Sequence, residues 1–178
     1  IIPGLEQEFF LKSDTKLEGY FTLFNIPITK AWSLKTVLAA YTGLTAIFPV
    51  PGTLLGDSNK AYIDGMFNGR GWTSIYNKVR GKAMLSNRVE LRIPIFPNIV
   101  GMDGFFDAAA VTTDVKTMFN SLSVNDFYFS FGPGLRFLLP QFPLHLLYAW
   151  TFKHSDAKGW YFNDPNGVFV LSFNITNR

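Results

Sequence analysis

Eight stretches of this chain repeat with a period of two, and Pro, Gly, Asn and Asp punctuate the gaps between them. A period of two puts successive side chains on opposite faces of an extended backbone, so the chain reads as antiparallel all-β. The stretches cover residues 5–12, 17–28, 32–48, 83–95, 99–111, 127–139, 144–153 and 168–176. Connections are short at Lys30-Ala31, Pro97-Asn98 and Pro140-Gln141, and long at 49–78, 114–126 and 154–166. Such alternation of short and long is expected of a barrel with tight turns at one end and extended loops at the other.

The chemistry of each face then selects the surroundings. In the fourth stretch Leu85, Asn87, Val89, Leu91, Ile93 and Ile95 share one parity, while Ser86, Arg88, Glu90 and Arg92 share the other. In the sixth, Phe127, Phe129, Phe131, Leu135, Phe137 and Leu139 oppose Ser130, Gly132, Gly134 and Arg136. The seventh sets Leu144, Leu146, Tyr148, Trp150 and Phe152 against His145, Ala149, Thr151 and Lys153, with Leu147 the exception on the polar side. A soluble sandwich or lipocalin-like barrel would fold those apolar rows inward. A transmembrane barrel turns them outward and keeps the charges inside. The rows run for about ten residues, the span of a tilted transmembrane strand, and aromatic residues cluster near their ends as in interfacial girdles. Charged residues make up only 16% of the chain against 48% hydrophobic, too few to dress a soluble domain. The expectation is therefore an antiparallel transmembrane β-barrel of about eight strands over residues 1–178, with a long inserted loop at about 49–80. No run of 18 apolar residues exists to form a transmembrane helix.

That parity points Arg88, Glu90, Arg92, Asp103, Asp107, Arg136 and Lys153 inward. The loop carries Asn68-Gly69-Arg70-Gly71-Trp72, in which glycines on both sides of one cation allow tight backbone turns and push the guanidinium out as a probe. Two pairings stay open on charge alone. Arg70 can fork onto Glu90 and Asp107 in a partly dry lumen, or those carboxylates can pair with Arg88, Arg92 and Arg136 while the loop lies elsewhere. Other chemistries find little support. The chain has no cysteine, and its two histidines, His145 and His154, lack the spacing of zinc ligands and a Gly-X-Ser-X-Gly elbow. Asp57, Asn59 and Asp64 do not complete a calcium loop. With a formal charge of +3 and no basic block, nucleic acid is not an expected partner. No cofactor or catalytic residue is expected.

The motifs together resemble those of the BamA-type outer-membrane protein assembly factors. Gly69-Arg70-Gly71-Trp72 is similar to the family's loop signature Val/Ile-Arg-Gly-Phe/Tyr, and Arg88-Val89-Glu90-Leu91-Arg92-Ile93-Pro94 to the strand that follows it. Phe105-Phe106-Asp107, Ser130-Phe131-Gly132-Pro133-Gly134-Leu135 and Trp150-Thr151-Phe152-Lys153 resemble the next strands in order. The chain departs from the pattern at Gly69, at Ala108-Ala109 and in ending Thr176-Asn177-Arg178 without a terminal aromatic. The resemblance implies that Arg70, flanked by Gly69, Gly71 and Trp72, reaches into the barrel and meets Glu90 and Asp107. It implies a last strand, with Gly167, Phe169, Leu171 and Phe173, that offers its edge to a client. It further implies an outer-membrane site in a diderm bacterium, with outer-membrane lipid, unfolded outer-membrane protein clients and accessory lipoproteins as partners. The chain would then be the carboxy-terminal half of a sixteen-stranded barrel. A small closed barrel, alone or paired with a second copy, acting as pore or structural protein, is the alternative.

Overall fold

A computed structural model describes residues 8–30, 32–96, 99–139 and 142–173. Nine strands form among them: β1 Phe10–Thr29, β2 Trp32–Pro49, β3 Ala61–Tyr62, β4 Arg80–Gly81, β5 Ala83–Phe96, β6 Val100–Thr112, β7 Phe127–Leu139, β8 Phe142–Ser155 and β9 Gly159–Phe173. Seven of them build one antiparallel sheet in the order β1-β2-β5-β6-β7-β8-β9, and β3 pairs only with β4. Every neighbour in the large sheet is also the next strand of that sheet along the chain, as in an up-and-down meander. The strands are 13 to 20 residues long, enough to cross a bilayer with tilt.

Burial is inside-out. Along β6, Asp103, Phe105, Asp107 and Ala109 are buried, whereas Met102 and Phe106 of the opposite parity are 42% and 43% exposed. The buried face of the sheet carries Ser86, Glu90, Asp103, Asp107, Ser130, Arg136, His145, Thr151 and Ser172. Its other face presents Val89, Leu91, Phe131, Leu135, Tyr148, Phe169 and Leu171 to the surroundings. Cross-strand aromatic pairs tile that face, among them Phe129–Phe152 with centroids 5.3 Å apart and Phe131–Trp150 at 5.6 Å. A contiguous apolar surface of this extent suits hydrocarbon rather than water. Leu147, apolar on the polar face, is buried in a small inner cluster with Phe105, Ala149 and Val170.

Two boundaries differ from the sequence reading. Residues 17–28 and the described end of the stretch 5–12 belong to one strand, β1, so seven long strands stand where eight stretches were read. Ser13-Asp14-Thr15-Lys16 looks like a break, but these residues pair in continuous register with Ala46, Thr45, Leu44 and Gly43 of β2. Residues 1–7 lie outside the described residues. The second difference is at 154–166, read as a long loop. Strand β8 instead runs to Ser155 and β9 starts at Gly159, leaving a tight turn. Asn163-Asp164-Pro165-Asn166-Gly167 has turn composition yet sits within β9, where the register against β8 shifts. Proline is tolerated there because β9 has one neighbour among the described residues, and the missing N–H removes no ladder bond on its other side. The last strand was read through Thr176; β9 is described to Phe173, and residues 174–178 lie outside the described residues, as do Ala31, Pro97-Asn98 and Pro140-Gln141 at the short connections.

The two remaining connections are long. Residues 113–126 hold one short helix, α1 Val115–Asn120, and a 3₁₀ turn. The connection between β2 and β5 leaves the sheet and returns across its buried face.

Candidate functional site

The loop between β2 and β5 is built before it docks. A two-residue ladder, β3 with β4, ties its arms together. At the tip, one carboxylate oxygen of Asp64 accepts the backbone N–H groups of Met66, Phe67 and Asn68 at 2.8, 2.6 and 2.9 Å. The backbone N–H of Gly71 donates to the Gly65 carbonyl at 2.9 Å, and that of Trp72 to the Gly69 carbonyl at 3.1 Å. Gly69 and Gly71 both adopt positive φ, +63° and +89°. At Gly71 a Cβ would also lie 2.6 Å from the Ala149 Cβ on β8, so only glycine lets the backbone approach the sheet this closely.

These turns deliver Arg70 to the sheet. It is 2% exposed. Its backbone N–H and its Nε–H both donate to Asp107 Oδ2, at 3.1 and 2.8 Å, and Nη2 donates to Asp107 Oδ1 at 2.6 Å. Its Nη1 donates to Glu90 Oε1 at 2.6 Å. The guanidinium lies 4.2 Å from the centroid of Phe105, which stands between Asp103 and Asp107 on β6. Trp72 follows into a pocket with Ile63 and Ala109; its indole N–H donates to the Phe129 carbonyl at 2.9 Å, and it meets Tyr128 edge-to-face at 5.0 Å. Asn68 accepts a hydrogen bond from Ser86 of β5 at 3.2 Å.

The ion cluster is larger than the loop contact. Arg92 donates to Glu90 Oε2 through Nε and Nη2 at 2.9 and 2.8 Å, and Arg136 donates to the same oxygen at 2.9 Å. Arg136 also reaches Asp103 at 3.4 Å, and His145 Nε2 stands 2.8 Å from Asp103 Oδ2. Three guanidiniums thus meet three carboxylates across β5, β6, β7 and the loop, with His145 of β8 at the end. Each buried charge has an opposite neighbour, the condition under which such charges are tolerated away from water.

Both pairings left open by charge alone are therefore present at Glu90, which is shared by Arg70, Arg92 and Arg136. Asp107 takes Arg70 alone. Arg88 pairs with neither carboxylate; its guanidinium lies 4.1 Å from the centroid of Tyr41. Gly69, Arg70, Gly71, Trp72, Glu90 and Asp107 are brought together. Gly167, Phe169, Leu171 and Phe173 lie apart from them on β9, which pairs with β8 and with no second strand among the described residues. Phe169 and Leu171 face outward, 62% and 40% exposed, and Gly167 occupies the bulge with φ +73°. The extension through Asp103 and His145 was not anticipated as part of the site. Its signal was in the inward parity of β6 and β8, but nothing in parity says how far along each strand a residue sits.

The polar face has the makings of a brace. It holds no group of three or more His, Cys, Asp or Glu side chains arranged for a metal among the described residues. His145 abuts a carboxylate but no serine hydroxyl is bonded to it. What the arrangement can do is fix a loop across four strands.

Comparison with known proteins gives this geometry a context. The Omp85 superfamily domain matches residues 2–176. A Treponema pallidum (strain Nichols) protein named "Putative outer membrane protein assembly factor" is 36% identical over 203 residues, covering 99% of this chain. The chain spans about a quarter of that relative, 24% of its length. No solved structure matches.

Proposed function

Because this chain belongs to the Omp85 superfamily, we propose that it is the barrel part of an outer-membrane protein assembly factor in a diderm bacterium, which helps client β-barrel proteins fold and insert. The reading makes and breaks no covalent bond. Its working parts are the braced loop and the edge of β9. On its free side β9 carries N–H and C=O groups without a ladder partner among the described residues, and such an edge templates an incoming strand by β-augmentation. Phe169 and Leu171, which face outward, would continue the apolar row onto a client strand. Lipid contact would fall to the aromatic outer face. Accessory lipoproteins and a second copy are further partners on this reading, and the remainder of a sixteen-stranded barrel would complete the lumen.

The observation that carries the proposal is the buried contact of Arg70 with Asp107 and Glu90, held from a loop that crosses an otherwise polar lumen face. The test reconstitutes the full-length protein in lipid vesicles and follows the folding of an added client barrel by protease protection. Arg70→Ala is expected to slow client folding while the protein itself stays inserted. Client folding at the same rate in empty vesicles would end the assembly reading; full activity of Arg70→Ala would end only the bracing role.

A further inference from the structure

Asp107 has two in-register neighbours on the buried face, Arg88 on β5 and Ser130 on β7. Facing residues of an antiparallel pair hold their Cβ atoms about 4.5–5.5 Å apart, so both side chains can reach the carboxylate between them. Neither is bonded to it. Arg88 is turned onto the Tyr41 ring, and its Nε–H is buried with no hydrogen-bond partner. The Ser130 hydroxyl is fully buried and equally unpartnered. Buried donors left unpaired are uncommon and costly. Here two of them flank one carboxylate.

The loop explains why. Arg70 supplies three donors to Asp107 and occupies both of its oxygens. Glu90 stands differently, since Arg92 and Arg136 hold its second oxygen independently of the loop. Removing Arg70 would therefore leave Glu90 paired and strip Asp107 of all its side-chain partners.

We propose that Arg88 and Ser130 form a resident cradle for Asp107, which takes over the carboxylate when Arg70 and its loop withdraw. In the withdrawn state the Arg88 guanidinium swings from Tyr41 to Asp107, and Ser130 donates to it from the other side. Loop release is then an exchange of partners, not the exposure of an orphaned buried charge. The cost of moving the loop falls accordingly, and the sheet keeps its internal charge balance in both positions. This device is a property of the sheet and does not depend on what the protein assembles.

A double-mutant cycle in the full chain tests it. Arg70→Ala, Arg88→Gln and their combination are compared by equilibrium urea unfolding in lipid vesicles. With Arg70 present, Arg88→Gln is expected to change the folded-to-unfolded ratio by less than about twofold, because the exchange partner is idle. With Arg70→Ala, the same change is expected to lower it by about tenfold, because Asp107 then has no cation. Adding Asp107→Asn to the double variant should recover most of that loss. An equal effect of Arg88→Gln in both backgrounds overturns the proposal. Should the double variant fail to fold, the triple variant decides: folding with Asp107→Asn identifies the orphaned carboxylate as the cause, and failure overturns the cradle.

Discussion

The two halves of the buried face share one pattern and differ in what covers them. From β5 to β8 the loop lies over Glu90 and Asp107, and the Arg70–Asp107 pair at 2.6 Å has side chains 3% and 1% exposed. From β1 to β5 the inward charges Lys12, Asp14, Lys16, Glu18 and Arg88 border a cavity of about 570 Å³, which Glu90, Arg92 and the loop residues Phe67 and Asn68 line where the two halves meet. There the Lys12–Asp14 pair, at 3.4 Å, is 47% and 46% exposed. Alternation decides which face a charge occupies. The loop decides the medium around it, and hence its energetic weight: two unit charges about 4 Å apart interact roughly fourfold more strongly at an effective dielectric near 20 than in water. The covered half is thus expected to hold stability and loop position, and the open half neither.

The largest contrast should appear at the carboxylates. Glu90→Gln keeps the shape of the side chain and removes the charge shared by Arg70, Arg92 and Arg136. Breaking a buried ion pair by neutralising one partner costs about 3–5 kcal/mol, and urea unfolding in vesicles should show a loss of that order. Glu18→Gln, on the open side, should stay within about 0.5 kcal/mol. Equal losses at the two positions would dissolve the distinction between the halves.

The inward parity of the covered half was legible in the sequence, and the part that was not has a physical reason. Inward parity for Glu90, Asp103, Asp107, Arg136 and His145 follows from a strict period of two, and a period cannot be wrong by one residue without turning every side chain over. The glycines at 69 and 71 mark the place where backbone meets sheet. Partner choice was not legible. Arg88 and Arg92 are equivalent by pattern, yet Arg92 bonds Glu90 and Arg88 stacks on Tyr41. That difference depends on Arg70 having already filled Asp107, a contact between residues 37 apart in sequence. The edge strand misled for a related reason. Asp164-Pro165-Asn166-Gly167 carries every local sign of a turn, and β9, paired only with β8 among the described residues, absorbs it as a bulge.

Loop docking itself can be weakened in smaller steps. Gly71→Ala places a Cβ 2.6 Å from that of Ala149 and forces φ +89° on an L-residue. A backbone held in that region costs about 1–3 kcal/mol, so the loop should become protease-sensitive near residues 69–72 while the sheet stays folded. Protection equal to that of the unchanged chain would show that close approach to β8 is not required. Trp72→Phe is milder. It keeps an aromatic ring beside Ile63 and Ala109 and removes the indole hydrogen bond to Phe129. The expected loss is about 1 kcal/mol, read as a modest rise in the cleavage rate of the loop.

The smallest effect is the one that tests the open half directly. Asp14 faces Lys12 and accepts a hydrogen bond from Thr45 at 2.6 Å, all on an edge hairpin bathed by the cavity. Asp14→Asn removes the charge and retains a side-chain oxygen that Thr45 can still use. Solvent screens the lost ion pair, and exposed pairs contribute about 0–1 kcal/mol, so the unfolding midpoint should barely move. Salt supplies the sharper reading. At about 1 M ionic strength the screening length falls to about 3 Å, and whatever difference Asp14→Asn makes at low salt should vanish. The Glu90→Gln deficit, shielded beneath the loop, should persist under the same conditions. If instead Asp14→Asn destabilised the protein by several kcal/mol in a salt-independent way, the cavity beside β1 would have to be closed by something that excludes water, and the two halves of the face would be alike.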